Sequence, residues 1–358
     1  MPQISRSSVR SILTGLAALL VLAGCTFPVR FATPAEVAQA NARPSPLAAP
    51  AAPSGGGGGL SQLQSEFHQL IAQVTPSVVQ IDTDTGLGSG VIVDTQGTIV
   101  TNAHVVDGSQ KLTVTTSDGA THPATLVGSY PRDDLAVVSI QGVSGLKAAR
   151  FGDSSAVQIG DVVVAVGSPL GLSESVSEGI VSGTGRAQSE GNGVTLTGLI
   201  QTTAAINPGN SGGALVDTRG QVIGIPTLGA ANSQTGGSAA GIGFAIPSNQ
   251  VTTIVQQIKG GGTVTHTGIA YLGVTTRTST SGGATVQQVV AGGPADRAGV
   301  AAGWVITAIA GHQVPDAATI SQILSGYKPG DRVSLSATLP DGSTKTVTIT
   351  LGERPAVP

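Results

Sequence analysis

At 358 residues the chain is long enough for two or three domains, each with a hydrophobic core of its own. A formal charge of −3, with no Lys/Arg cluster beyond the N-terminus, excludes the electrostatic footprint of a nucleic-acid binder. Abundant glycine (52 residues), scarce aromatics (3%) and recurring short runs of Val, Ile and Thr exclude a helical bundle and favour many short strands joined by tight turns.

The N-terminus carries Arg6 and Arg10, an apolar run from Ile12 to Leu22, and then Ala23-Gly24-Cys25. A charged region, an apolar region and small residues at a cleavage point make residues 1–24 an export signal. Leu22-Ala23-Gly24-Cys25 resembles the bacterial lipobox, which implies that Cys25 becomes a lipid-modified first residue holding the protein to a membrane, in the periplasm or at the cell surface. Cys25 is the chain's one cysteine, so no internal disulfide is expected. Residues 25–59 are Ala/Pro/Gly-rich and end in consecutive glycines, a flexible tether with a typical reach of roughly 30 Å.

Leu63, Phe67, Leu70, Ile71 and Val74 recur at helical spacing and predict an amphipathic helix over Leu60–Val74, ended by Thr75-Pro76. The period then shortens to that of strands. Runs are expected at Ser77–Asp82, Ser89–Asp94, Ile99–Thr101, Lys111–Thr116, Ala120–Tyr130, Leu135–Ile140, Asp161–Val166, Glu178–Ser182, Leu199–Thr202, Gly213–Asp217, Gln221–Ile225 and Ile242–Ile246. That rhythm predicts antiparallel barrels or a sandwich. A helix over Ser248–Lys259 and the glycine run at 260–262 close this unit, 60–260. A smaller unit, 267–354, follows, with strands near 269–275, 284–290, 304–309, 332–338 and 344–351 and a helix over Ala317–Tyr327.

Asn207-Pro208-Gly209-Asn210-Ser211-Gly212-Gly213 carries the strongest chemical signal. A serine between glycines is uncrowded, and neighbouring backbone N–H groups can converge on one point, which is what an acyl-transfer nucleophile and its oxyanion hole require. Of the five histidines, His68 lies in the predicted helix, His122 precedes a proline in an expected turn, and His266 and His312 fall in a linker and a loop. His104, in Thr101-Asn102-Ala103-His104-Val105-Val106, stands where an apolar strand ends, the placement of a base held rigidly beside a cleft. Asp134 opens the apolar run Leu135-Ala136-Val137-Val138 and can orient an imidazole, with Asp133 as its competitor. The order His104, Asp134, Ser211, with a strand rather than a helix after the serine, argues against an α/β-hydrolase elbow.

Together, the motifs at 101–106, 134–138, 201–213 and 241–249, followed by a PDZ-like unit, resemble the HtrA/Deg family of trypsin-fold serine proteases from about Phe67 onward. The resemblance implies a mainly β fold of two six-stranded antiparallel barrels followed by an α+β PDZ domain. It also implies a homotrimer or multiple of trimers associating near Phe67, and unfolded or misfolded envelope proteins as substrates. It implies catalytic His104, Asp134 and Ser211, an oxyanion hole built from Gly209, Asn210 and Ser211, and no metal or organic cofactor. Ala205, six positions before the serine, lacks the acid that selects Lys or Arg. With Ile206, Ile225, Pro226 and Thr227 it predicts a pocket for small or medium aliphatic residues. Asn210 carries no charge to receive a newly cut N-terminus, so control through ordering of the loops at 167–178, 204–210 and 228–241 is expected instead. Thr203 and Pro226 depart from the family, which often has Asp and Asn there.

Tyr271-Leu272-Gly273-Val274 resembles the loop with which PDZ domains hold the C-terminal carboxylate of a peptide, although Trp304 replaces the usual acidic residue after Gly303. A competing reading is a chaperone or scaffold that binds unfolded chains with little proteolysis.

Overall fold

The computed structural model describes residues 57–168, 175–189, 195–207, 209–231 and 238–356. The export signal, Cys25 and most of the tether lie outside these residues. Among the described residues no helix is long and apolar enough to cross a membrane.

The N-terminal helix runs over Gly57–Val74, starting before the Leu60 predicted from the apolar spacing because its first turn takes in the last glycines of the tether. Strands β1 (Val78–Thr83), β2 (Leu87–Ile92), β3 (Thr98–Thr101), β4 (Leu112–Thr115), β5 (Thr121–Tyr130) and β6 (Leu135–Ile140) close into a barrel in the order β1-β2-β3-β6-β5-β4. His122 belongs to β5 rather than to the expected turn. Pro123 is tolerated beside it because β6 pairs with β5 only from Ala124 onward, so the missing N–H faces an edge with no partner strand.

The second set comprises β7 (Arg150–Phe151), β8 (Val162–Gly167), β9 (Ser175–Ser189), β10 (Thr195–Thr202), β11 (Ala214–Asp217), β12 (Gln221–Ala231) and β13 (Ser238–Pro247). Its order is β11-β8-β9-β10-β13-β12-β7, and pairing of β11 with β12 closes six of these strands into a second ring. β9, β12 and β13 run well beyond the predicted spans. Their extensions are poor in large apolar side chains and irregular in register, so the alternation that marks a strand is missing there.

Several strands read as unbroken apolar runs because they are buried on both faces. In β6, Leu135 and Val137 face a seam between the barrels, whereas Ala136 and Val138 point into the first barrel. In β8, Val164 and Val166 join the same seam, and Val163 and Ala165 fill the second barrel. The helix Ser248–Lys259 adds Val251, Ile254, Val255 and Ile258 to the seam. Truncating a side chain here, for example Leu135→Ala, removes burial and leaves a cavity, a loss of about 2–5 kcal/mol.

Asp153 ties that helix to the second barrel by accepting from the Ser155 hydroxyl at 2.6 Å, the Asn249 amide at 2.6 Å and the Ser155 N–H at 2.9 Å. These bonds, the Ser155 hydroxyl first, hold its carboxyl down at about 2. A depressed carboxylate contributes stability above its unfolded value of about 4 and loses it as pH falls through the folded value. We therefore expect the denaturant midpoint to decline between about pH 4 and pH 2, and to decline less steeply in Asp153→Asn.

The second domain is a sheet with Val274–Thr278 at one edge, followed in order by Ala284–Val289, Val305–Ile309, Arg332–Thr338 and Thr344–Thr350. Trp304 is buried in its core with Lys345 Nζ 5.3 Å from the ring centroid, so an indole in cation–π contact occupies the place expected for an acidic residue. Its helix, Ala317–Leu324, stops short of the Tyr327 predicted; Asp316 caps it by accepting from the Thr319 N–H at 2.8 Å. This helix packs on β9 at Gly185, which has φ +64°, and a Cβ there would lie 2.3 Å from Gln322 Cα.

Candidate active site

The site forms where the two barrels meet. His104 sits in a one-turn helix, Ala103–Val106, anchored by buried Val105 and Val106, and its side chain is 40% exposed. Its Nδ1 lies 2.9 Å from each Asp134 carboxylate oxygen, and its backbone N–H donates to Asp134 Oδ1 at 3.0 Å. Asp134 is 1% exposed and has φ +50°, a left-handed conformation uncommon for a residue with a side chain. It caps the single turn Pro131–Asp133, with its N–H on the Pro131 carbonyl at 3.1 Å, while the Asn102 amide donates to its own carbonyl at 3.0 Å. Asp133 points elsewhere and pairs with Arg354. The two acids are turned apart by this turn rather than by the alternation of a strand.

Thr227, in β12, joins the acid to the serine. Its hydroxyl donates to Asp134 Oδ2 at 2.5 Å, and its carbonyl accepts from Ser211 Oγ at 2.8 Å. The serine's one hydroxyl proton is thus directed at Thr227. The apolar reading of residues 225–227 as a pocket wall missed the polar role of Thr227. Thr227→Val keeps the shape but leaves the buried carboxylate short of a charge-assisted bond of about 1.5–3 kcal/mol. We expect kcat to fall by roughly tenfold or more with KM little changed, measured on a peptide substrate.

Ser89 has no place among the residues singled out from the sequence. Its N–H donates to the Ser211 carbonyl at 2.9 Å, its hydroxyl donates to the Gly209 carbonyl at 2.5 Å, and that hydroxyl accepts from Ser168 N–H at 2.8 Å. The first barrel thereby grips the serine loop carried by the second. Gly88 and Gly90 beside Ser89 were the available signal, since glycine inside a strand marks close approach of another backbone. Gly212 shows how tight that approach is: φ is +82°, and a Cβ would sit 2.2 Å from the Ser89 carbonyl oxygen.

The Asn210 N–H donates to Asn207 at 3.0 Å and its carbonyl accepts from Gly213 at 2.9 Å, while Gly209 is left-handed at φ +102°. Asn210 therefore uses its own N–H within the turn and shapes the loop. Its side-chain amide donates to the Ala205 carbonyl at 3.3 Å, and its buried Oδ1 has no hydrogen-bond partner among the described residues. The Ala205 carbonyl also accepts from the Ser177 hydroxyl at 2.8 Å. Thr203 stitches the same loop to β9, accepting from Ile180 N–H and donating its own N–H to Ile180, both at 3.0 Å. Ala205 is exposed and Ile206 is buried over Gly243. Ile225 is fully buried in the seam, so its side chain backs the wall without lining an opening. The Pro226 carbonyl accepts from Gly212 N–H at 2.9 Å.

In the smaller domain Leu272 is buried and Gly273 has φ +80°; the Leu272 carbonyl accepts from Ala295 N–H and the Gly273 carbonyl from Val290 N–H, both at 2.9 Å. Tyr271 and Val274 flank them, and Val274 begins the edge strand. A groove of about 1530 Å³ runs along it, lined by Leu272, Val274, Ile320 and Ile323 and, across the gap, by Thr184 and Thr197 of the larger domain. Among the described residues no group of three or more His, Cys, Asp or Glu side chains is placed to hold a metal ion.

Two closed barrels meeting at a polar site, with a separate edge-strand domain behind them, define a trypsin-like serine peptidase followed by a PDZ domain. The chain matches the family described as "Trypsin-like peptidase domain" over residues 88–225 and that described as "PDZ domain" over 270–351. It is 42% identical over 336 residues to serine protease PepD of Mycobacterium tuberculosis, covering 85% of this chain and 72% of that one. It is 40% identical over 274 residues to periplasmic serine endoprotease DegP of Salmonella typhimurium, covering 74% of this chain but only 56% of DegP. A solved structure of the HtrA-type protease AlgW with a tripeptide covers 81% of this chain and 97% of its own, at 36% identity and a TM-score of 0.58. The chain belongs to the HtrA family of serine proteases.

Proposed function

We propose that the protein is an exported serine endopeptidase that cleaves unfolded polypeptides after small or medium aliphatic residues, with Ser211 as nucleophile, His104 as base and Asp134 as orienting acid. The observation that carries this reading is the continuous set of contacts from His104 Nδ1 to Asp134, from Asp134 to the Thr227 hydroxyl, and from the Thr227 carbonyl to Ser211 Oγ. Asp134 fixes the imidazole with a proton on Nδ1, so that Nε2 can take the serine proton and pass it to the leaving amine. In the resting state the serine proton is held by Thr227; rotation about the serine Cα–Cβ bond frees it for the imidazole. Gly209 and Ser211 offer their backbone N–H groups to the tetrahedral oxyanion, where the loss of one donor costs about 3 kcal/mol.

Ala205 and Ile206 supply an uncharged pocket. The periplasmic names among the relatives support export, and Cys25 anchors the chain through lipid, on the extracytoplasmic side. In the PDZ domain, residues 271–274 receive a peptide C-terminus and Val274–Thr278 pairs with it as an added strand. Leu63, 49% exposed on the N-terminal helix, with Val176 and Ile180 on β9, supports self-association into trimers, which sedimentation would detect.

The test is digestion of a permanently unfolded protein by residues 62–358, with the cut sites read by mass spectrometry. Cuts after Val, Ala or Leu are expected. Efficient cutting after Arg or Lys would contradict the pocket, and binding without any cutting would favour a scaffold.

A further inference from the structure

After the last long strand of the PDZ domain the chain turns back toward the peptidase domain. Gly352–Glu353 pairs with Ala270–Tyr271, Arg354 N–H donates to the Ile269 carbonyl at 2.9 Å, and the Thr267 hydroxyl donates to the Arg354 carbonyl at 2.9 Å. The Arg354 side chain then crosses to the larger domain. Nη2 lies 2.5 Å from both carboxylate oxygens of Asp133, and Nη1 donates to Thr197 Oγ1 at 3.0 Å. Both partners are buried, Arg354 at 8% and Asp133 at 1% exposure.

A buried ion pair is weak support for stability, because desolvation offsets most of its attraction. Its location points to a different role. Asp133 is the last residue of the turn that Asp134 caps, and Asp134 is held in a left-handed conformation, φ +50° and ψ 43°. Such a conformation persists in a residue with a side chain only where the surroundings fix it on more than one side. Asn102 fixes the Asp134 carbonyl from the first barrel, and Arg354 fixes the preceding carboxylate from the end of the PDZ unit. The other titratable or charged groups near this turn are His104, half-buried Arg132, and the buried Tyr130 phenol, which is pushed up by burial and then by the charge of Asp133.

We propose that Arg354 is a positioning residue for the catalytic triad: by clamping the Asp133 carboxylate it locks the Pro131–Asp133 turn and keeps the Asp134 carboxylate aimed at His104. The inference rests on the triad reading above. It makes the geometry of the catalytic acid depend on the last residue of the PDZ unit, so loosening of residues 352–354 would disorder the triad from a distance.

The test uses the full chain with Arg354→Gln, Arg354→Lys, Asp133→Asn and the double variant Asp133→Asn/Arg354→Gln, beside wild type and Ser211→Ala. Arg354→Gln is expected to lower kcat by about tenfold, the size of coupling found within one ion-pair network, with KM nearly unchanged. The unpaired carboxylate it leaves favours a protonated imidazole, so the acid limb of its kcat/KM profile moves to higher pH. Asp133→Asn leaves an unpaired guanidinium and moves that limb to lower pH. Arg354→Lys returns the limb toward wild type, and the double variant loses no more than the worse single one. A lowered unfolding midpoint with kcat and both limbs unchanged would overturn the proposal, as would losses that multiply in the double variant. Amide hydrogen exchange over residues 131–135 gives a readout independent of catalysis: faster exchange in Arg354→Gln is expected, and unchanged exchange overturns the proposal. Wild-type cleavage that survives Ser211→Ala would instead contradict the triad reading, leaving the exchange result to decide whether Arg354 locks the turn.

Discussion

Ser211→Ala is expected to reduce kcat for peptide hydrolysis by on the order of 10⁶-fold while leaving the fold intact, a loss of the size found when the nucleophile of a serine protease is removed. Alanine keeps the Cβ and removes only the oxygen that donates to the Thr227 carbonyl. The loop itself is fixed through backbone: Ser89 N–H to the Ser211 carbonyl, Gly212 N–H to the Pro226 carbonyl and Gly213 N–H to the Asn210 carbonyl, each at 2.9 Å. The thermal midpoint should therefore stay close to that of wild type. Steady-state hydrolysis and a melting curve on the same preparation check both halves. Full retention of activity would place the nucleophile elsewhere, and loss of activity together with collapse of the midpoint would mark Ser211 as structural.

Asp134→Asn carries the second large effect, a fall in kcat of roughly 10⁴-fold with KM little changed. The carboxylate accepts from the His104 N–H, lies 2.9 Å from Nδ1 and accepts from the Thr227 hydroxyl, so both of its oxygens act as acceptors. An amide offers one acceptor and one donor group. Whichever way it is turned, either Thr227 or His104 meets a donor instead of an acceptor, and the imidazole is driven toward the tautomer with its proton on Nε2, which cannot accept from serine. Kinetics at several pH values would show a uniform drop if this is the cause. A loss smaller than about tenfold would show that Asp134 does not control the tautomer.

How much of this was legible in the sequence follows from distance along the chain. The continuous apolar runs at 135–138, 163–166 and 214–216 announced buried strands, and the seam explains why they do not alternate. His104 and Asp134 could be singled out because each stands at the end of such a run, and the structure brings them together. Ser211 stood out through its glycines. Thr227, Ser89 and Arg354 could not be singled out in the same way, because their contacts reach across 93, 120 and 221 residues and each is an ordinary residue in its own neighbourhood. The long extensions of β9 and β12 were invisible for a local reason: Ser-Gly-Thr-Gly at 182–185 and Leu-Gly-Ala-Ala at 228–231 carry no alternation of large apolar with polar residues, so only pairing with neighbouring strands makes them strands.

The most direct measurement is reaction of the folded protein with a fluorophosphonate, a probe that bonds covalently to an activated serine oxygen, followed by peptide mapping. A single adduct on Ser211 is expected, lost in His104→Ala and strongly slowed in Asp134→Asn. An adduct on a different serine, or labelling of Ser211 that proceeds equally well without His104, would contradict it.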